Sequence, residues 1–299
     1  MKMTVAVPPS APLATRSIGA ILMDSGLLSP EDAERVLLLQ KEQGLRFGEA
    51  AIRLGLVSEA DIQFALSRQF AYPYLRTTGD KKSISEELVA AYQPFSPRVE
   101  QLRAMRSQLM LRWFDKTEQR QVLAVVGTER GEGRSFLAAN LAVVFSQLGE
   151  RTLLIDADLR SPRQHELFHL QNKTGLSTML SGRARDEAII RITDLAGLYV
   201  LPAGPVPPNP LELLSRPTFD ELLGQVKAMF DVVIIDTPAL SEGEDAALIS
   251  IRTGAALAVA RSQKTRVLAF TDMVQGLMNA GVSVVGSVLN DVPSKKARK

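Results

Sequence analysis

Residues 122–149 read VLAVVGTERGEGRSFLAANLAVVFSQLG, and this stretch decides the fold. An apolar run rich in valine is followed by a glycine-rich loop and then by a long apolar segment. The glycines allow backbone N–H groups to converge on phosphate oxygens, and a helix N-terminus adds a favourable field. The stretch therefore predicts a strand, a phosphate-binding loop and a helix from Phe136 to Leu148. A generic glycine-rich turn is the alternative.

From Gln121 onward the chain alternates short apolar runs with helical segments. The further strand candidates are TLLIDAD, LYVLPAG, DVVIID, AALAVAR and VSVVGSVLN. Runs that are buried on both faces and separated by helices predict a parallel sheet with right-handed crossovers. The predicted fold class is α/β: a doubly wound, mostly parallel P-loop sheet over residues 97–291, preceded by a small helical domain.

Carboxylates follow two of the predicted strands. Asp156 and Asp158 end the second strand, and Asp236 ends the fourth. Open α/β sheets bind ligands at the carboxyl ends of their strands. Mg²⁺ prefers a few carboxylates together with phosphate oxygens and water. The three aspartates therefore predict a magnesium site beside the loop, although strand-end aspartates also serve as helix caps.

The loop departs twice from the usual pattern GxxxxGK[ST]. Thr128 stands where the pattern has its first glycine, and Arg134 stands where it has lysine. Arginine keeps the positive charge but carries a larger, planar group. We expect Arg134 to contact the β and γ phosphates in place of lysine.

The region from about Pro97 to Asp291 resembles the bacterial tyrosine kinases, the BY-kinase group of the MinD/ParA-like P-loop proteins. The resemblance is greatest to the chain-length-determinant kinases of exopolysaccharide loci. GEGRSFLAANLA is similar to their Walker A motif, LLIDADLRSPRQH to Walker A′ and VVIIDTP to Walker B. The segments GPVPPNPLELL and VVGSVLN are also similar to this family.

This resemblance implies ATP and Mg²⁺ as cofactors and protein tyrosine as the phosphate acceptor. Ser135 and Asp156 would ligate Mg²⁺, and Asp236 would hold a metal-bound water. Asp158 would support the transfer or activate the hydroxyl, so the implied catalytic residues are Arg134, Asp156, Asp158 and Asp236. The implied nucleotide contacts are Thr128, Arg130, Gly131, Glu132, Gly133, Arg134, Ser135, Phe136 and Asn290.

A charged row precedes the sheet on a helix predicted from Pro97 to about Phe114. Glu100, Arg103 and Arg106 match the family's ExxRxxR motif, and their spacing places all three on one helix face. The family implies a homo-oligomeric ring through this helix. A solvated charge row is the alternative.

The family's C-terminal tyrosine cluster has no counterpart in this sequence. The four tyrosines are Tyr72, Tyr74, Tyr92 and Tyr199, and the chain ends in DVPSKKARK. Two functions are therefore open. One is an autokinase that controls exopolysaccharide chain length with a separate membrane-embedded chain-length determinant (Wzz-like) as partner. The other is a MinD/ParA-like ATPase switch that regulates partners without phosphorylating them.

Residues 16–75 contain an internal repeat with an offset of 29 residues, which aligns Gly19 with Gly48 and Ser29 with Ser58. The two serines are natural helix N-caps. The repeat predicts two helix–turn–helix units that bury their apolar faces on each other.

The same region resembles the N-terminal domain of type II secretion ATPases of the MshE type, in which this domain binds c-di-GMP. Arg46-Phe47-Gly48 and Gln69 match its pattern, whereas the first repeat has Ser17 at the arginine position, with Arg16 beside it. Binding of c-di-GMP and a docking role without a ligand both remain open.

One further motif points to different chemistry. Residues 165–169 spell HExxH, which on a helix would place two imidazoles on one face, as in zinc proteases. A carboxylate such as Glu187 would have to be the third ligand. The alternative is that the histidines belong to the Walker A′ segment.

The composition limits the remaining possibilities. The chain has 299 residues with 45% hydrophobic and 23% charged residues, the balance of a soluble globular protein. It has no cysteine, which excludes disulfides and thiolate metal sites. The net charge is +2, and residues 295–299 carry four of the positive charges. The rest of the chain is not a basic surface, so no nucleic-acid partner is expected.

The remaining segments are predicted as connections. Residues 1–15 are expected to be a disordered lead-in, residues 76–96 a linker and residues 292–299 a basic tail. No stretch of about 18 apolar residues is present that would span a bilayer. We therefore expect a cytoplasmic protein that is recruited to the inner face of the cytoplasmic membrane.

Overall fold

The computed structural model describes residues 16–69, 75 and 83–291. The predicted lead-in, the basic tail, Tyr72 and Tyr74 lie outside the described residues. The chain divides into two compact units, residues 1–76 and 77–299. Among the described residues, no helix is long and apolar enough to cross a membrane.

The described part of the first unit is built from four helices that repeat in pairs. They are α1 (Ile18–Asp24), α2 (Pro30–Gln43), α3 (Phe47–Arg53) and α4 (Glu59–Gln69). Buried positions recur at the offset of 29 in the pairs Ile21/Ala50, Leu22/Ala51, Leu28/Val57 and Val36/Ala65. Gly26 and Gly55 make the same turn, with φ of +68° and +67°. The two halves of the sequence repeat therefore bury equivalent side chains and make equivalent turns.

The second unit contains a seven-stranded sheet in the order β3-β4-β2-β5-β1-β6-β7. The strands are β1 (Val122–Gly127), β2 (Thr152–Asp156), β3 (Ile190–Arg191), β4 (Leu198–Leu201), β5 (Val232–Asp236), β6 (Ala255–Arg261) and β7 (Ser283–Asn290). All neighbouring strands pair in parallel except β3 and β4, which pair antiparallel. The predicted α/β fold is confirmed. The sequence does not predict β3, because two residues give no apolar periodicity.

Nine α-helices accompany the sheet in the described part of this unit. They are α5 (Val89–Tyr92), α6 (Pro97–Arg112), α7 (Arg134–Gln147), α8 (Gln164–Leu167), α9 (Leu176–Leu180), α10 (Pro210–Leu214), α11 (Pro217–Met229), α12 (Asp245–Thr253) and α13 (Val267–Asn279). Helix α7 contacts β1, β2 and β5 as well as α5 and α6. Because 12 of its 14 residues are buried, the helix has no solvent-exposed polar face.

Residues 83–96 belong to the second unit, whereas the sequence predicts them as part of a linker. Two buried amide side chains of α7 explain the difference. Asn140 Oδ1 accepts a hydrogen bond from the Ala90 N–H at 3.0 Å, and Gln147 Nε2 donates to the Ala90 carbonyl at 2.9 Å. The Ser85 N–H also donates to the Leu167 carbonyl, at 2.8 Å. The first two hydrogen bonds attach the segment to α7, the helix that follows the glycine-rich loop, and the third attaches it to α8.

Candidate nucleotide-binding site

The glycine-rich loop borders a cavity of about 670 Å³ at the carboxyl edge of the sheet. Its size is typical of small-molecule sites, which span about 300–1,000 Å³. The predicted site residues that line it are Arg130, Gly131, Gly133, Arg134, Ser135, Phe136, Asp158 and Asn290. The structure therefore brings most of the predicted residues to one cavity.

The loop adopts a backbone that favours glycine at two positions. Gly131 has a φ of +74° and Gly133 a φ of +100°, and α7 begins directly afterwards at Arg134. Residues that carry a Cβ atom rarely adopt these positive φ angles, so substituting either glycine would strain the loop. The arrangement places a helix N-terminus at the cavity, which is a natural position for an anion.

The family resemblance implies Thr128 and Glu132 as nucleotide contacts, but their side chains do not line the cavity. Glu132 is fully buried, and its Oε1 accepts hydrogen bonds from Thr128 Oγ1 at 2.7 Å and Thr265 Oγ1 at 2.5 Å. A buried carboxylate requires such donors. Both side chains therefore act inside the loop, and only their backbone groups remain candidates for phosphate contacts.

Arg134 lies at the cavity wall with 6% of its surface exposed. Its Nε donates to the Thr237 carbonyl at 3.0 Å, and Nη1 donates to the Glu129 carbonyl at 2.7 Å. Nη1 also lies 3.8 Å from Glu132 Oε2. The planar guanidinium group thus bridges two backbone segments through two of its nitrogens. The single ammonium nitrogen of a lysine would bridge them less well.

Asp156 and Asp236 lie side by side, because β2 and β5 pair with these residues in register. Both are fully buried. Burial is the largest cause that raises the pKa of Asp156 well above its usual value, followed by the nearby charge of Asp236. Burial also raises the pKa of Asp236 to about 6. When two buried carboxyl groups lie side by side, the charge on one makes ionisation of the other less favourable.

These carboxylates fit a hard divalent cation. Asp236 Oδ1 has no hydrogen-bond partner among the described residues. The Ser135 side chain hydrogen bonds to Asp236, and Asp156 lies beside Asp236 on the neighbouring strand. One hydroxyl and two carboxylates are therefore close together. Oxygen ligands of this kind suit Mg²⁺, and a bound cation would favour the charged carboxylates.

Gln164 is a residue of the site that the sequence does not predict. Its Nε2 donates to Asp236 Oδ2 at 2.8 Å and to the Ser135 carbonyl at 3.1 Å. Its backbone N–H donates to Asp156 Oδ2 at 2.8 Å. One buried glutamine therefore links all three predicted magnesium ligands. It lies within the Walker A′-like segment, but an uncharged side chain gives no chemical signal there.

Asp158 lines the cavity and is 5% exposed. Its Oδ1 accepts hydrogen bonds from the N–H groups of Arg160 at 3.2 Å and Ser161 at 2.8 Å. These bonds fix the orientation of the carboxylate at the cavity wall. The arrangement suits a group that accepts a proton from a hydroxyl in the cavity.

The cavity is also lined by charged side chains that the sequence does not predict. Arg98, Arg163 and Arg261 line it together with Glu86 and Glu87. Arg163 Nη2 forms an ion pair with both carboxylate oxygens of Glu87, at 2.6 and 2.8 Å. Arginines of this kind recognise phosphate groups well.

The HExxH residues do not share one helix. Helix α8 ends at Leu167, and His169 follows it with a φ of +50°. The described residues contain no group of three histidine or carboxylate side chains that could hold a metal ion. The structure therefore gives no support to the zinc-protease alternative.

The side chains of the ExxRxxR row contact their own chain. Arg103 Nη1 pairs with Glu100 Oε1 one helical turn away. Arg106 Nη1 donates to the Val144 carbonyl of α7 at 2.8 Å. Arg106 therefore also links α6 to the helix that carries the loop.

Known proteins resemble the second unit in sequence and structure. Residues 123–299 match the CobQ/CobB/MinD/ParA nucleotide binding domain family. Tyrosine-protein kinase YwqD of Bacillus subtilis is 34% identical over 207 residues, which are 69% of this chain and 86% of YwqD. The kinase domain of Escherichia coli tyrosine kinase ETK superposes with a TM-score of 0.68 at 31% identity, covering 75% of this chain and 87% of that domain.

A relative from Klebsiella pneumoniae, named a putative tyrosine-protein kinase in the cps region, is 33% identical over 263 residues. These residues are 88% of this chain but 36% of that relative, so the chain spans about a third of its length. The family match covers more than half of the chain, and YwqD is matched over most of its own length. The chain therefore belongs to the bacterial tyrosine-protein kinase family, built on the MinD/ParA-type nucleotide-binding fold.

Proposed function

We propose that the chain is an ATP-dependent protein-tyrosine kinase and autokinase that regulates exopolysaccharide biosynthesis and chain length. The observation that carries the proposal is the meeting of the glycine-rich loop, Ser135 and Asp158 at one cavity. Directly behind Ser135 lies the buried pair of Asp236 and Asp156. The direct test is to incubate the purified chain with ATP and Mg²⁺ and to detect phosphotyrosine. Absence of phosphotyrosine, with ATP hydrolysis present, would contradict the proposal.

Each residue has a distinct role in this proposal. The loop N–H groups and Arg134 bind and orient the triphosphate. Ser135, Asp156 and Asp236 would hold Mg²⁺, which would supply neutralisation of phosphate charge when bound. Asp158 accepts the proton of the attacking tyrosine hydroxyl, since its carboxylate faces the cavity in a fixed orientation.

One observation favours a second candidate, a MinD/ParA-like ATPase switch that regulates partners without phosphorylating them. Both tyrosines that the structure describes are used in the packing of the second unit. Tyr92 OH donates to the Ile84 carbonyl at 2.8 Å, and the Tyr199 ring packs against Phe230 with 5.2 Å between centroids. Phosphate release without phosphotyrosine would identify the switch.

We predict that neither Tyr92 nor Tyr199 is a phosphate acceptor. Burial raises the pKa of Tyr92, and its hydroxyl is occupied by the Ile84 carbonyl. Phosphopeptide mass spectrometry after incubation with ATP should therefore find neither site. Tyr92→Phe and Tyr199→Phe should each leave total labelling unchanged. A loss of labelling in either variant would contradict this prediction.

Assembly is proposed to use Glu100, Arg103 and Arg106. Closure of a ring repeats each weak contact at every subunit interface. Changing Arg103 and Arg106 to Ala is expected to lower the oligomer mass in light scattering while nucleotide binding is retained. Arg112→Ala is the matched control, because it removes an exposed arginine from the same helix. An unchanged mass would identify the row as a solvated surface.

The proposed partner is a separate membrane-embedded chain-length determinant (Wzz-like) that recruits the chain to the inner face of the cytoplasmic membrane. The Klebsiella relative, which is named for the cps region, supports a role in capsule synthesis. Fractionation of cells with and without the partner tests the recruitment. The chain should remain in the membrane fraction only when the partner is present.

The first unit is proposed to be a docking module, with c-di-GMP binding as the alternative. In its first repeat, Arg16 Nη1 forms an ion pair with Asp24 Oδ2 at 2.5 Å, so this arginine already has an anionic partner. Calorimetric titration of the full chain with c-di-GMP distinguishes the two. Binding that is lost in Arg46→Ala would support the ligand site.

A further inference from the structure

Three consecutive carbonyl groups of the glycine-rich loop, in residues 130–132, each accept a hydrogen bond from a distant side chain. Lys264 Nζ donates to the first carbonyl, and Arg261 Nη1 donates to the second at 2.9 Å. Asn290 Nδ2 donates to the third at 3.0 Å. Arg261 ends β6, Lys264 lies in the connection between β6 and α13, and Asn290 ends β7.

The glycines of the loop leave the space that two of these donors occupy. A Cβ atom on Gly131 would lie 2.8 Å from Lys264 Nζ, and a Cβ atom on Gly133 would overlap the Asn290 amide. This steric fit is independent of the hydrogen bonds. The loop and the donor side chains are therefore complementary in shape as well as in polarity.

The segment from Arg261 to Thr265, which carries two of the donors, is itself anchored to the loop. The Arg261 N–H donates to Thr265 Oγ1 at 2.8 Å, and Thr265 Oγ1 donates to the buried Glu132 carboxylate at 2.5 Å. Between them, Gln263 adopts a φ of +59°, which non-glycine residues seldom do. The connection is thus held in a particular shape against the loop.

The geometry points to a carbonyl clamp, formed by Arg261, Lys264 and Asn290, that orients the loop peptides for phosphate. In a peptide group the C=O and N–H point in opposite directions. Holding the three carbonyls in place therefore also fixes the direction of the N–H groups of the same peptides, in the loop that borders the cavity. The clamp residues are positioning residues, because they act through the loop backbone. This inference rests on the proposed nucleotide site and deepens it.

Lys264→Met tests the clamp, because it removes the donor and keeps most of the side-chain stem at an exposed position. We expect the full chain to bind fluorescently labelled ADP about tenfold more weakly, as for loss of a hydrogen bond from a charged group. Pyrophosphate, measured by competition, should lose the same factor, because the clamp acts on the phosphate part. Lys173→Met is the matched control at an exposed lysine outside the cavity, and it should bind normally.

Salt separates the clamp from a general effect of charge. Attraction between exposed charges is largely screened at about 1 M salt, where the Debye length is about 3 Å. The loss in Lys264→Met should persist in high salt, and Lys264→Arg should restore binding. A loss that disappears in high salt would overturn the clamp in favour of simple long-range attraction.

Asn290→Asp tests the third donor, because it places an acceptor against the Glu132 carbonyl in the same volume. We expect ADP and pyrophosphate to bind more weakly by equal factors of at least about tenfold. A loss for ADP alone would overturn the inference and assign Asn290 to the base. If the unaltered chain does not bind ADP, the proposed function itself fails. If it binds and the variants are unchanged, only the clamp fails.

Discussion

Asp236→Asn is expected to stabilise the metal-free protein at pH 7 and to abolish Mg²⁺-dependent nucleotide turnover. Asp236 is fully buried beside Asp156, and burial raises its pKa to about 6 from 3.8. The folded protein therefore binds more protons than the unfolded chain between these values. The free energy of unfolding should fall as pH rises from about 4 to about 6, by about 3 kcal/mol in total.

Asparagine removes the charge and keeps an oxygen that accepts the Gln164 amide hydrogen bond. Urea unfolding in EDTA at pH 5 and pH 7 measures the difference, which should be larger at pH 7. Asp272→Asn, at an exposed position on α13, is the control and should have little effect. Equal stability changes at both pH values, or retained turnover, would refute the role given to Asp236.

Arg134→Ala should weaken nucleotide binding by about 1.5–3 kcal/mol, the range for a hydrogen bond to a charged group. The variant should also be less stable, because the Thr237 and Glu129 carbonyls lose their donor. Calorimetric titration with ATP measures the affinity. Arg134→Lys is the matched variant. It keeps the positive charge and introduces lysine, the usual residue at this position of the loop, so it should retain nucleotide binding. Unaltered affinity in Arg134→Ala would show that the loop works without this side chain.

The fold could be predicted because its evidence is local. The strands of the second unit are continuous apolar runs, and the loop between β1 and α7 is marked by its glycines. The meeting of Asp156 and Asp236 also follows from the sequence, because both end parallel strands and the register places them opposite each other. Local patterns of this kind survive in the structure with only small changes at the helix ends.

Other parts of the site could not be predicted because they depend on distant contacts. Arg261 and Lys264 lie more than 120 residues from the carbonyls that they bind. Their sequence context is an ordinary polar connection. The family resemblance implies Glu132 as a nucleotide contact, because a motif match cannot tell which side of a loop a side chain faces. The hydroxyls of Thr128 and Thr265 decide that question.

The attachment of residues 83–96 to α7 decides where the second unit can be cut. A shortened chain that begins at Pro97 would expose the apolar positions that Ile84 and Leu88 now cover. It would also leave the buried Asn140 and Gln147 side chains without their backbone partners in Ala90, at about 1–3 kcal/mol for each lost partner. We therefore expect a fragment that begins at or before residue 83 to be more stable than one that begins at Pro97, and a catalytic fragment should be designed from there.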